Sequence, residues 1–230
     1  MPQRTLIVAA ALLACWAVAA SARDKKERID GWGIVVNPDH DCSVKLEKGA
    51  LAVSVPGTIH DLHIDENRMN APRVMQEIEG DFIIEVRVTG RFAPKVQTIK
   101  EHYAYHGAGL VLMKDEKTYL RLERAACFRP DFGTNSMTYI SFGLIEDGSP
   151  VQTEGPSDYL LEESQMAYLR LERRKDKVAA AVSADGLKWR YLDPKAVLLP
   201  AKVQLGVMAV SSAKEPLTSR FSERRVFQQK

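Results

Sequence analysis

Residues able to do chemistry gather in a few stretches of this chain. His60 and His63 are three apart, with Asp61 and Asp65 close by, and His102 and His106 are four apart. Imidazoles beside carboxylates suit zinc or copper. Off a helix, however, a His-x-x-His spacing does not turn both rings to one side. Surface or hydrogen-bonding histidines account for the same residues, and no metal is assigned to them. Asp39-His40-Asp41 follows Asn37-Pro38. Alternate acids in a turn could offer hard oxygen ligands to calcium, and Asn-Pro-Asp is equally an ordinary turn. Arg73, Gln76, Tyr119, Arg121 and Glu123 combine donors with acceptors, which is what sugar hydroxyls require of a binding surface. Trp32 and Trp189 could stack on a pyranose ring, but Trp189 follows a turn and is expected in the core.

Several chemistries find no support. No Gly-x-Ser-x-Gly elbow or Cys-His signature is present, so a nucleophilic triad has no motif. No phosphate loop or dinucleotide glycine pattern occurs either. Lys plus Arg is 32 against Asp plus Glu 30. That balance argues against a nucleic-acid binder working through bulk positive charge. A hydrophobic content of 45% argues against a disordered chain.

The elements that must position these residues read as strands. Phe82, Ile84, Val86 and Val88 alternate with Ile83, Glu85 and Arg87, the period of a strand with one apolar face. Leu51, Val53 and Val55 repeat the pattern, as do Leu110 with Leu112, Leu120 with Leu122, Leu169 with Leu171, and Val203, Leu205 and Val207. Lys48-Gly49, Pro56-Gly57, Glu79-Gly80, Asp147-Gly148 and Asp185-Gly186 punctuate the runs. Asp-Gly between two alternating runs is a hairpin signal. Roughly eleven or twelve short strands and no amphipathic helix predict an all-β, antiparallel β-sandwich. Longer loops are expected over 57–72, 91–106, 128–137 and 147–164, and loops of that length often carry function. Tyr119-Leu120-Arg121-Leu122-Glu123-Arg124 recurs as Tyr168-Leu169-Arg170-Leu171-Glu172-Arg173. Two copies do not make a solenoid, and they are expected as similar strands of one sheet system.

The first residues read as an export signal. Arg4 precedes an almost wholly apolar run from Leu6 to Ala20, and Ala20-Ser21-Ala22 is a small-residue cleavage site. The run is about 15 residues, short of the roughly 20 that span a bilayer. The expected organisation is a signal peptide over 1–22 and one domain over 23–230. The product would be secreted or periplasmic, with no membrane attachment after cleavage. Cys42 and Cys127 would remain; a disulfide and two buried thiols both fit them.

Ser183-Ala184-Asp185-Gly186-Leu187-Lys188-Trp189 resembles the strand–turn–strand of concanavalin A-like domains. Tyr105-His106-Gly107-Ala108-Gly109-Leu110-Val111-Leu112 with Asp115 and Tyr119-Leu120-Arg121, and Leu205-Gly206-Val207-Met208-Ala209 with Phe221, are similar to core strands of the same superfamily. More narrowly, Pro56-Gly57-Thr58-Ile59-His60-Asp61-Leu62, Asn70-Ala71-Pro72-Arg73-Val74 and Gly80-Asp81-Phe82 resemble an uncharacterised family of exported bacterial domains related to the yeast regulator of enolase. The resemblance implies a concanavalin A-like jelly roll over nearly all of the exported chain. It leaves function open, because lectins, glycan-binding modules, glycosidases and structural domains share the fold. A structural calcium is common in such domains, and it is the one cofactor the resemblance brings. The Glu-x-Asp-x-x-Glu strand of the superfamily's glucanases is absent; Glu77, Glu79 and Asp81 have the wrong spacing.

The leading expectation is therefore a domain that binds glycan or another extracytoplasmic polymer without chemistry. Its site would combine the 57–72 loop, the 91–106 loop and the polar side of 119–124. The candidate ligand-binding residues are His60, Asp61, Arg73, His106, Arg121 and Glu123, with Arg and His donating and Asp and Glu accepting. A glycoside hydrolase or lyase using Glu123, Asp61 or His106 is the alternative, and a structural or assembly domain is the third. The oligomeric state is left open.

Overall fold

A computed structural model of the chain describes residues 27–63, 66–100, 102–128, 130, 136–154, 160–161 and 166–228. The expected signal peptide lies outside the described residues, as do most of 128–137, Asp65, and part of 147–164. Among the described residues there is no helix long and apolar enough to cross a membrane.

The described residues form nineteen strands. The early ones are β1 (Arg28–Ile29), β2 (Gly33–Val36), β3 (Ser43–Glu47), β4 (Ala50–Val55), β5 (Leu62–His63) and β6 (Arg68–Met69). The middle of the chain carries β7 (Arg73–Glu79), β8 (Phe82–Gly90), β9 (Ala104–Met113), β10 (Tyr119–Phe128), β11 (Met137–Glu146), β12 (Ser149–Glu154) and β13 (Leu160–Leu161). The last part carries β14 (Ala167–Arg174), β15 (Lys177–Ser183), β16 (Arg190–Tyr191), β17 (Lys195–Ala196), β18 (Lys202–Ser211) and β19 (Leu217–Gln228).

These strands build two large antiparallel sheets. One runs β1-β2-β7-β18-β9-β10-β11-β12, with β13 also on β11. The other runs β16-β15-β14-β8-β19-β4-β3, with β17 on β15. The fold is an all-β sandwich of the jelly-roll type. Leu110, Leu112, Leu120, Leu122, Phe142 and Leu205 of the first sheet meet Leu51, Ile84, Val86, Leu169, Leu171 and Phe221 of the second. Each fully buried side chain of this kind contributes about 1.5–3 kcal/mol.

The first sheet is buried on its outer face as well. Leu62 and Ala71 of the 57–72 segment close over Met75, Val111, Met113, Tyr119, Met208 and Val210. That second seam explains why β9 reads as a nearly continuous apolar run rather than an alternation, the pattern of a strand covered on both sides.

Turn chemistry acts where the residues ask for it. Lys48 and Gly49, and Asp147 and Gly148, all have positive φ, the type I′ geometry that matches strand twist. They close β3 on β4 and β11 on β12, pairing Glu47 with Ala50 and Glu146 with Ser149. Part of the loop expected over 147–164 is thus strand β12. Asp185-Gly186 does not make a two-residue hairpin. The Asp185 carboxylate accepts the backbone N–H groups of Leu187 and Lys188, widening the connection until Val182 pairs with Arg190.

Two expectations are corrected, and the open question of the two cysteines is answered. The repeated hexapeptide does not lie in one sheet: β10 is central in the first sheet and β14 belongs to the second, their leucines facing each other across the core. Trp189 is not a core residue; the Arg170 guanidinium stacks on it at 4.0 Å, while Trp32 is the tryptophan in the core. Cys42 and Cys127 form no disulfide: Cys42 precedes β3, at the edge of the second sheet, and Cys127 sits on β10 of the first.

Candidate functional site

The site is built where the 57–72 segment crosses the outer face of the first sheet. His60 ties this segment to the end of β18 through two backbone bonds of 2.8 Å with Ser211. Asn70 accepts the Asp61 N–H at 3.0 Å and donates to the Ile59 carbonyl at 2.8 Å. The Asp61 carbonyl in turn accepts the Ala71 N–H. The segment is a small closed loop, with β5 and β6 paired inside it.

Strand alternation puts Tyr119, Arg121 and Glu123 of β10 on this outer face. Arg121 Nη1 donates to Asp61 Oδ1 at 3.0 Å and to the Leu62 carbonyl at 3.2 Å. The Tyr119 hydroxyl donates to the same carbonyl at 2.8 Å. Beneath Arg121, Glu123 Oε1 lies 3.8 Å from Arg121 Nε, and Glu123 Oε2 accepts the Tyr105 hydroxyl at 2.6 Å. Glu123 Oε1 makes no hydrogen bond. Asp61, Arg121, Glu123 and Tyr105 therefore form one connected chain of polar groups.

The two ends of that chain differ in exposure. Asp61 and Arg121 keep 23% and 18% of their side chains in solvent, while Glu123 keeps none. Burial raises the Glu123 carboxyl, and Arg121 and the Tyr105 hydroxyl pull it partly back. Burial also works against the Arg121 cation, but Glu123 and then Asp61 outweigh it, so the net shift is upward. Burial, then the Glu123 charge, raises the Tyr105 phenol. Arg121 stays a cation held between two carboxyl groups and is no free anion hook.

A cleft of about 230 Å³ opens beside Arg121. Leu62, Tyr119 and Ile145 supply apolar wall, and His63, Ser141 and Thr153 supply polar groups. Gly143 pairs directly with Arg121 across β10 and β11. A Cβ there would meet nothing nearer than the Thr153 hydroxyl at 3.5 Å, so the missing side chain is what leaves the floor open.

Of the six residues singled out from sequence, Asp61, Arg121 and Glu123 come together. His60 does not join them. Its ring is buried and turned away, with Nε2 at 2.8 Å from Asp41 Oδ1. Arg73 sits on the same sheet face but three strands from β10. It donates to the Met69 and Ala71 carbonyls at 3.2 and 3.0 Å, so it pins the segment that carries Asp61. His106 lies on the opposite face of β9 from Tyr105, as alternation requires. Its Nε2 is 3.0 Å from the Glu215 carbonyl oxygen, and its Nδ1 has no hydrogen-bond partner. It borders a cleft of about 680 Å³ with Arg91, Lys95 and Arg220, and burial lowers its basicity.

Sequence reasoning passed over Tyr105, Ser141, Gly143 and Asn70. Tyr105 was detectable in principle, since it shares the odd positions of β9 with Gly107 and Gly109. Ser141 and Gly143 carry no signal until the register of β11 against β10 is known.

No family model matches the chain, and no curated protein matches it. Solved structures do. A functionally unknown protein from Saccharomyces cerevisiae superposes with a TM-score of 0.64 at 18% identity, covering 86% of this chain and 97% of that one. The carbohydrate-binding module CBM66 from Bacillus subtilis matches with a TM-score of 0.52 at 12% identity, covering 88% of this chain and 100% of that one. A GH43 protein from Bacillus licheniformis matches with a TM-score of 0.58 at 17% identity, over 84% of this chain but only 36% of its own. At these identities the likeness shows the fold alone, an antiparallel jelly-roll sandwich.

Proposed function

We propose that the chain is an exported glycan-binding domain that holds one sugar residue, without chemistry, in the cleft lined by Arg121 and bordered by its partner Asp61. The narrower likeness to exported bacterial domains related to the yeast regulator of enolase is part of this reading. A carbohydrate-binding module among the structural neighbours makes glycan a natural ligand class for such a sandwich.

The observation that carries the reading is the exposure split along the polar chain. Arg121 lines the cleft, its partner Asp61 stands partly exposed beside it, and Glu123 is closed off beneath. Donor and acceptor side by side, charge-compensated and backed by apolar wall, suit neutral hydroxyls. Ligand pockets for drug-sized molecules begin at about 300 Å³, so this smaller cleft takes a single ring. Glycosidases need two carboxyl groups flanking a bond, roughly 5–9.5 Å apart across a cleft. Among the described residues no carboxyl group lines this cleft, Asp61 beside it is already paired with Arg121, and His106 lies on the other face of the sheet. This favours binding over hydrolysis.

The test is a glycan array and immobilised-polysaccharide retention with Gly143→Val and Arg121→Ala. Gly143→Val narrows the cleft beside Arg121 and replaces no member of the polar chain. Retention is expected to fall at least tenfold in both, with Gly143→Val keeping the parent melting temperature. Equal retention by Gly143→Val, or no retention by the parent on any glycan, overturns the reading.

A further inference from the structure

We infer that Asp41, Cys42 and His60, with Asp39 beside them, form a site for one divalent cation of the zinc type, separate from the sugar cleft. The ligand atoms of Asp41, Cys42 and His60 all lie within 4.8 Å of one another. His60 Nε2 is 2.8 Å from Asp41 Oδ1 and 3.7 Å from Asp39 Oδ2. Cys42 Sγ is 3.5 Å from Asp41 Oδ1. A tetrahedral zinc shell, with bonds of about 2.0 Å to nitrogen or oxygen and about 2.3 Å to sulfur, spaces its ligands about 3.2–3.8 Å apart. The Asp41, Cys42 and His60 donors already stand close to that spacing, the imidazole and the Asp41 carboxylate needing to part by a few tenths of an ångström, and Asp39 stands beside them.

They come from two parts of the chain that are otherwise far apart in sequence. Asp39, Asp41 and Cys42 belong to the turn between β2 and β3. His60 belongs to the 57–72 segment and is buried to 1% exposure. Its backbone is clamped by Ser211 on both sides. Asn70 Nδ2 steadies Asp39 Oδ2 at 2.6 Å.

The imidazole is also set up as a ligand from behind. His60 Nδ1 lies 3.4 Å from the Thr58 carbonyl oxygen, the kind of partner that fixes the tautomer of a metal-bound histidine. In the Nδ1–H tautomer Nε2 turns its lone pair to the cluster, the form that ligates a metal; in the Nε2–H tautomer it donates to Asp41 Oδ1.

The donor set selects the metal. Calcium, which the fold resemblance suggests for Asp39 and Asp41, takes six to eight oxygen ligands. Here a thiol and an imidazole are two of the three clustered donors, and Asn70 offers its amide NH₂ rather than its oxygen. The residues do not fit calcium. One thiolate, one imidazole and one carboxylate, with the fourth place left to water or to Asp39, fit zinc. On binding, the Cys42 thiol proton and any proton on His60 Nε2 pass to solvent. The metal keeps its oxidation state, and no electrons move. The bound ion would clasp the segment that carries Asp61 to the β2–β3 turn.

Cobalt(II) reports such a site directly. The purified chain, titrated with cobalt(II), is expected to bind one equivalent and to show a thiolate-to-cobalt charge-transfer band, which zinc then bleaches. The band is expected to vanish in Cys42→Ser and to persist in Cys127→Ser. Asp41→Asn and His60→Gln are expected to weaken zinc binding at least tenfold, and calcium is expected not to compete. Stoichiometric zinc should also shield Cys42 of the parent chain from alkylation, a readout that needs no variant. A band that survives Cys42→Ser, an absence of one-equivalent binding, or equal alkylation of Cys42 with and without zinc overturns the inference. Glycan retention by Gly143→Val reads the other site and is independent of these outcomes.

Discussion

Tyr105→Phe tests the polar chain at its most buried link. The hydroxyl donates to Glu123 Oε2 at 2.6 Å, a short charge-assisted bond. Glu123 Oε1 already lacks a hydrogen bond, so the substitution leaves the whole carboxylate with only Arg121 for support. Hydrogen bonds to charged groups contribute about 1.5–3 kcal/mol, and leaving a buried charged acceptor bare lies toward the upper end. A loss of about 2–3 kcal/mol follows. At about 2–4 °C per kcal/mol for a domain of this size, the melting temperature should fall by roughly 4–12 °C. The effect should depend on pH. Burial holds the Glu123 carboxyl above its ordinary value of 4.5, so the folded chain binds that proton more tightly than the unfolded chain does. The group's contribution is complete below 4.5 and is lost as pH rises through the folded value. Removing the hydroxyl raises the folded value further, and Tyr105→Phe must lose more stability between acid and neutral pH than the parent. Urea denaturation at pH 4 and pH 7, with Glu123→Gln and the double variant, measures this. In the Glu123→Gln background the cost of Tyr105→Phe should shrink to about 0.5–1.5 kcal/mol, the worth of a neutral bond. A cost below about 0.5 kcal/mol in the parent background, with no dependence on pH or on Glu123, would refute the reasoning.

Other consequences are as direct. Arg73→Ala removes both donors that hold the Met69 and Ala71 carbonyls; about 2–3 kcal/mol of stability should be lost, with protease cleavage appearing first within 57–72. Asp185→Ala should lower the melting temperature at neutral pH. The Asp185 carboxyl is held down to about 2 by the Lys188 and Leu187 N–H groups, so its contribution is present above 3.8 and lost as pH falls through about 2. The variant and parent should converge in strong acid. Mass spectrometry of the unreduced, denatured chain after alkylation should find both Cys42 and Cys127 modified; an oxidised pair would contradict the fold.

The two copies of the repeated hexapeptide show how far sequence carries the argument. In both, leucines two apart dictate a strand with one face in the core, because that alternation has no other low-energy use. The polar halves meet different fates. In β14, Glu172 keeps 20% of its side chain in solvent and pairs with Arg174, while Arg170 binds Glu85 and the Tyr191 hydroxyl and stacks on Trp189. In β10, Tyr119 and Glu123 are sealed beneath the 57–72 segment. Identical residues acquire different roles because one face has a loop folded over it and the other does not.

Period-two patterning and turn chemistry are local, so the chain itself determined its strands, its type I′ hairpins and its sandwich class. Which strands become neighbours depends on distant residues competing for the same edge, and only the tertiary structure decided that. It placed Gly143 opposite Arg121, put Asp61 over β10, turned His60 toward Asp41 and Cys42, and carried His106 to the far face of its sheet. Those contacts join residues many positions apart in the chain, and no local preference of the backbone encodes them.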